Sequence, residues 1–82
     1  MWYIRSYYKN EKNIIQELNG LGSYVISDLK TLRGVKNRIN KYILKRIEEE
    51  YKLRNRKLYK IEIFYDSDNG HGTEILVETI NY

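Results

Sequence analysis

One histidine, two aspartates and a serine share the stretch Asp66-Ser67-Asp68-Asn69-Gly70-His71-Gly72, so metal or acid–base chemistry would have to start there. A calcium loop needs oxygen ligands at positions 1, 3 and 5, glycine at 6 and glutamate at 12. Counted from Asp66, those last three places hold Gly70, His71 and Val77, so the pattern fails. A transition-metal site would have to join His71 to Asp66 or Asp68, too few ligands for a firm site. His71 as a general base has no second histidine to help it, and Ser67 has no third group or oxyanion donor that can be named. The stretch reads as a solvated hairpin loop rich in turn formers. Glu48-Glu49-Glu50 cannot act as a carboxylate dyad, because consecutive helical residues point about 100° apart. Gly20-Leu21-Gly22 lacks the lysine and the strand–helix setting of a phosphate loop. The expectation is therefore a chain with no catalytic residue, metal or cofactor.

The chemistry that remains is cationic. The net charge is +4, but it is segregated along the chain. Residues 30–60 hold twelve Lys/Arg against three Glu, while the rest holds three basic and eight acidic side chains. Such a division makes a one-sided electric field. On a helix, Arg38, Lys41, Lys45 and Lys52 fall within a sector of roughly 60°, able to track a phosphate backbone with salt-dependent affinity. Arg54, Arg56, Lys57 and Lys60 carry the charge past the helix end, and Asn37 and Asn40 add polar groups for bases or phosphates. The competing reading is an ordinary solubilising surface, with Glu48–Lys52 and Glu50–Arg54 as acid-first i,i+4 pairs. Arg46 falls inside the apolar stripe, where it would snorkel past the sheet edge or pair with Glu62. Tyr3, Tyr7 and Phe64 are the rings best placed on an outer sheet face, where they could stack unpaired bases, though no RNA-recognition motif accompanies them.

The elements that must hold these groups are few. Eighty-two residues make one domain, and no cysteine is available for a disulfide or a thiolate metal site. No apolar run approaches the ~20 residues of a membrane span, and the first residues lack the form of a signal peptide, so a cytoplasmic protein is expected. Residues 2–8 are aromatic and β-branched and read as a strand. Residues 13–19 read either as a second strand closing a hairpin, which is preferred, or as a short helix capped by Asn10 and ended by Gly20. Ser23–Ile26 is extended. Thr31 or Ser27 then caps a long helix whose apolar residues Leu32, Val35, Ile39, Ile43, Ile47 and Tyr51 form one drifting stripe. Gly34 in its first turn leaves room for a strand passing close by. Residues 58–66 alternate, with Tyr59, Ile61, Ile63 and Tyr65 on one face and Lys60, Glu62 and Phe64 on the other. Residues 73–80 alternate too, with Ile75 and Val77 sharing a face. The expected fold is α+β: a small antiparallel ββαββ sheet with the helix across its apolar face, βαβαββ being the runner-up.

The chain has nine tyrosines and no alanine, a bias of AT-rich codons. In size, composition and lack of catalytic groups it resembles the small accessory proteins of phages and mobile elements, among them anti-CRISPR proteins. That resemblance carries over no site residues. It implies an inhibitor that binds and blocks a host defence complex through protein contacts. The residues themselves point first to a binding protein that engages nucleic acid or a nucleoprotein through Arg38, Lys41, Lys45, Lys52, Arg54, Arg56 and Lys57. The last strand is also available to pair with a second copy across a two-fold axis.

Overall fold

The computed structural model describes residues 1–9, 12, 14–17, 23–67 and 74–82. Five strands make one antiparallel sheet: β1 (Trp2–Lys9), β2 (Ile15–Glu17), β3 (Ser23–Ile26), β4 (Leu58–Asp66) and β5 (Glu74–Asn81). β1 is central. It pairs with β4 along one side, from Trp2↔Tyr65 to Tyr8↔Leu58. Its other side is shared by β2 (Tyr7↔Glu17 to Lys9↔Ile15) and β3 (Trp2↔Ile26 to Arg5↔Ser23). β5 lies outermost, against β4. The chain is thus α+β with one long helix between β3 and β4, but the order is βββαββ and not ββαββ. The extended piece Ser23–Ile26 is itself a strand, paired on the same side of β1 as β2 with its register changed by four residues. The preferred hairpin for residues 13–19 holds at Ile15–Glu17; residues 13, 18 and 19 lie outside the described residues.

The helix is capped by Thr31, whose Oγ1 accepts from the Gly34 amide at 3.1 Å. What passes close to Gly34 is the side chain of Leu29 and not a strand. The helix then runs in three stretches: α1 (Leu32–Arg38), a π-helical turn (Ile39–Ile43) and α2 (Leu44–Leu53). In the wide turn the Leu44 amide donates to the Ile39 carbonyl, an i→i+5 bond. The sequence explains why this turn is there. Apolar residues spaced by four drift round a regular helix, so Val35, Ile39, Ile43, Ile47 and Tyr51 would spread over about 160°. A π turn takes up one residue without advancing the face, and the same five then fall within about 80°. All five are buried.

They pack on Trp2 and Ile4 of β1, Ile26 of β3, and Leu58, Ile61 and Ile63 of β4. A polar contact crosses this core: the Tyr51 hydroxyl donates to Ser6 Oγ at 2.7 Å, both groups fully buried. Two irregularities break the expected alternation. The register between β1 and β4 steps at Tyr7/Tyr8, passing over Tyr59, which leaves the core face and carries the Lys9 ammonium 5.0 Å from its ring. The register between β4 and β5 steps at Ile63/Phe64, passing over Val77. Ile75, Leu76 and Val77 are in consequence all exposed, and β5 meets the core through Ile80. Opposite Ile63, Glu78 takes the Lys36 ammonium of α1 at 2.8 Å.

Candidate nucleic-acid interface

The π turn that aligns the apolar stripe also rearranges the cations on its back. Everything after Ile43 is turned by about 100° relative to a regular helix, so Arg38, Lys41, Lys45 and Lys52 occupy a sector of about 140° and not 60°. The same rotation takes Arg46 out of the apolar stripe. Arg46 is exposed, and Glu62, its expected partner, lies 3.4 Å from Lys60. The outer surface of the helix therefore carries Lys41, Lys45 and Arg46 together around the turn, all exposed. Sequence reasoning missed Arg46 because it assumed a regular helix. The run of four-residue spacings was the signal that could have corrected it.

Arg38 does not join this group. Its Nη1 and Nη2 reach the two oxygens of Asp28 at 2.6 and 2.8 Å, a two-pronged pair that locks the guanidinium against the segment before the helix. The hydrogen bond to Arg38, helped by the backbone of Asp28, holds the Asp28 carboxyl below its ordinary value. The same bond holds the guanidinium above its own. Lys52 and Arg54 were expected to pair with Glu48 and Glu50. Among the described residues neither pair comes within ion-pair distance, and both cations are exposed.

Past Leu53 the chain makes a Schellman turn. The Asn55 amide donates to the Lys52 carbonyl at 3.0 Å and the Arg56 amide to the Tyr51 carbonyl at 2.8 Å. Asn55 takes the left-handed conformation this needs, with φ 55°. This hook reverses the chain into β4 and places Arg54, Arg56 and Lys57 at the sheet end, all exposed. The Arg56 guanidinium lies 5.0 Å from the Tyr8 ring centroid. Beneath the hook is a cleft of ≈ 280 Å³ lined by Glu48, Tyr51, Arg56, Lys57, Leu58 and Tyr82. Burial, and then the charge of Glu48, push the Tyr82 phenol above its ordinary value.

The sheet face turned away from the helix carries the rings anticipated from sequence. Tyr3 and Phe64 sit opposite each other on β1 and β4 and stack with centroids 5.5 Å apart and an interplanar angle of 18°. Arg5 lies 5.2 Å from the Phe64 centroid and 5.8 Å from that of Tyr3. Lys60 lies 4.9 Å from the Tyr7 centroid.

Asp68, Asn69, Gly70, His71 and Gly72 of the acidic loop lie outside the described residues, whereas Asp66 is buried at the end of β4. Its backbone there is joined to Met1: the Asp66 amide donates to the Met1 carbonyl and the Met1 amino group to the Asp66 carbonyl. Among the described residues no three His, Cys, Asp or Glu side chains come together as metal ligands. No helix there is long and apolar enough to cross a membrane. The chain matches no protein-family model, and no curated protein or solved structure is similar enough to be matched to it.

Proposed function

We propose that this chain is a non-enzymatic binding protein that engages nucleic acid, free or within a nucleoprotein, through the outer surface of its helix and the basic hook that follows. One observation carries the reading. Lys41, Lys45, Arg46, Lys52, Arg54 and Lys57 are exposed and hold no carboxylate within ion-pair distance among the described residues, whereas Asp28, Glu62, Glu74 and Glu78 are each engaged by another cation. Unpaired cations in a row release condensed counterions when they meet a phosphate backbone, and this makes binding steeply salt-dependent. Glu48, Glu49 and Glu50 interrupt the row, so Lys41, Lys45 and Arg46 form its denser half.

The test is anisotropy of a labelled duplex titrated at several salt concentrations. Each phosphate contact contributes about −0.9 to the slope of log K against log salt. Replacing Lys41, Lys45 and Arg46 together by Glu is expected to flatten that slope by roughly 2 to 3. An unchanged slope, or no binding by the parent at low salt, ends the reading.

A second reading has its own observation. Tyr42 and Leu53 stand on the same helical surface, 71% and 86% exposed. A large ring and a leucine among cations suit a protein contact, as in a phage-type, anti-CRISPR-like inhibitor that blocks a defence complex. Capture of an assembled defence complex that survives nuclease treatment and is lost with Tyr42→Ala and Leu53→Ala supports that reading. Capture that nuclease abolishes supports the first.

A further inference from the structure

The outer sheet face has a feature that the helical surface lacks: cations and rings alternate along it in contact. On β1, Tyr3, Arg5, Tyr7 and Lys9 recur at every second residue and so share one face. On β4 the pairings Tyr3↔Phe64, Arg5↔Glu62 and Tyr7↔Lys60 set the partners beside them in the same order. Read from the hook end, the contacts run Lys9 on Tyr59, Lys60 on Tyr7, then Arg5 on Phe64 and Tyr3. Tyr3 to Lys9 spans about 20 Å of strand at ~3.4 Å per residue. Among the described side chains, the acids paired with cations of this face are Glu62, 3.4 Å from Lys60, and Glu74, 3.5 Å from Arg5; the register also sets Glu17 of β2 opposite Tyr7. Both pairs are long; the Arg5–Glu74 pair is exposed and of the kind that yields readily to another anion, whereas the Lys60–Glu62 pair is part-buried. The hook residues Arg56 and Lys57 stand at the Tyr8–Tyr59 end of the row, so positive charge leads onto it from the helix.

We propose that this face is a track for single-stranded nucleic acid, entered from the hook, with Tyr3–Phe64 and Tyr7 receiving unpaired bases and Lys9, Lys60 and Arg5 following the phosphates. Aromatic rings stack any base, and a sheet face is flat enough to offer several in sequence. Cations interleaved with them follow the backbone. A duplex cannot use the rings, because its bases are already stacked on each other. The inference deepens the nucleic-acid reading given above and rests on it, but assigns the base contacts to the opposite side of the sheet from the helix.

The experiment compares fluorescein-labelled oligo(dT) and oligo(rU) with a duplex of equal length at low salt, using the whole chain. The parent is expected to bind the single strands at least ten-fold tighter than the duplex. Tyr3→Leu with Phe64→Leu, which keeps apolar cover on the sheet, is expected to weaken single-strand binding roughly ten- to hundred-fold and leave duplex binding unchanged. Equal affinity of the parent for strand and duplex, or a double variant that binds single strands like the parent, overturns the track. The Lys41, Lys45 and Arg46 charge reversal separates the two readings. If it leaves both duplex and single-strand binding intact, the helical interface fails and the track stands; if it weakens duplex binding alone, both stand. If it abolishes binding to every probe while the Leu variant changes nothing, the reverse holds. Should the Leu variant not fold, oligo(dT) added to the labelled parent decides instead. Shifts confined to Tyr3, Tyr7, Tyr59 and Phe64 support the track, and shifts confined to residues 41–57 refute it.

Discussion

Deleting a single residue from a helix ordinarily destroys the packing of everything beyond it, because all later side chains turn by about 100°. Here the outcome depends on where the residue is taken. Removing Asn40, which is exposed within the π turn, closes that turn to a regular one and leaves Val35, Ile39, Ile43, Ile47 and Tyr51 within the same ~80° sector. The expected stability is within about 1 kcal/mol of the parent, since no buried contact is lost. Removing Glu49, equally exposed but beyond the turn, gives the helix two bad options. Either Tyr51 leaves the core, or the π turn closes and Ile47 is misdirected. Burial of one large apolar side chain is worth ~1.5–3 kcal/mol, and the Tyr51–Ser6 hydrogen bond adds about 1. The loss is therefore about 2.5–4 kcal/mol, set against a total of roughly 4–12 for a chain of this length. Urea unfolding followed by circular dichroism reads the difference directly. At a slope of ~1 kcal/mol per molar, the Glu49 deletion should lower the midpoint by about 3 M and the Asn40 deletion by less than 1 M. If the Asn40 deletion is as damaging as the Glu49 deletion, the wide turn does not serve the register of the stripe.

Three more outcomes are expected. Tyr51→Phe and Ser6→Ala should each cost about 1–2 kcal/mol in urea unfolding, and the double variant less than their sum by about 1, the signature of a shared buried bond; simple additivity would refute it. Asp28 titrates below its ordinary 3.8, so the pair with Arg38 contributes its full stability above that value and loses it as pH falls through the lowered one; NMR titration should show the Asp28 midpoint rise on Arg38→Gln, and an unmoved midpoint would count against the pair. Asn55→Gly should hold or raise the melting temperature, whereas Asn55→Ala should cost about 1 kcal/mol because a Cβ disfavours the left-handed turn; equal melting temperatures would argue against that conformation.

How far the chain could be read from its residues depended on which positions obey a regular period. The strand read at residues 2–8, the helix and the burial of Ile39, Ile43, Ile47 and Tyr51 follow from alternation and helical spacing, and they stand; of the two caps the residues offered, Thr31 and Ser27, it is Thr31. The failures occur where one residue is added to a period. The π turn moved Arg46 to the surface and spread the cations, and the bulges at Tyr59 and Val77 turned side chains to the wrong face. An inserted residue has no composition of its own, so no propensity announces it. The pairing of Arg38 was not legible for another reason. Its partner, Asp28, lies ten residues upstream in an irregular segment, and only tertiary geometry brings them together. The outer rings Tyr3 and Phe64 were visible as alternation on two strands, but their contact required the pairing of β1 with β4.

The single tryptophan, Trp2, sits on the helix side of the sheet, 8% exposed and with its ring centroid 4.8 Å from that of Tyr65. The protein therefore carries one indole emitter, shielded by the core and separated by the sheet from every aromatic group on the other side. Its emission will shift to the red when the core opens and will be nearly silent to anything that settles on the far face, where tyrosine alone would respond. Excitation at two wavelengths then distinguishes a ligand that binds from one that unfolds, with no label attached.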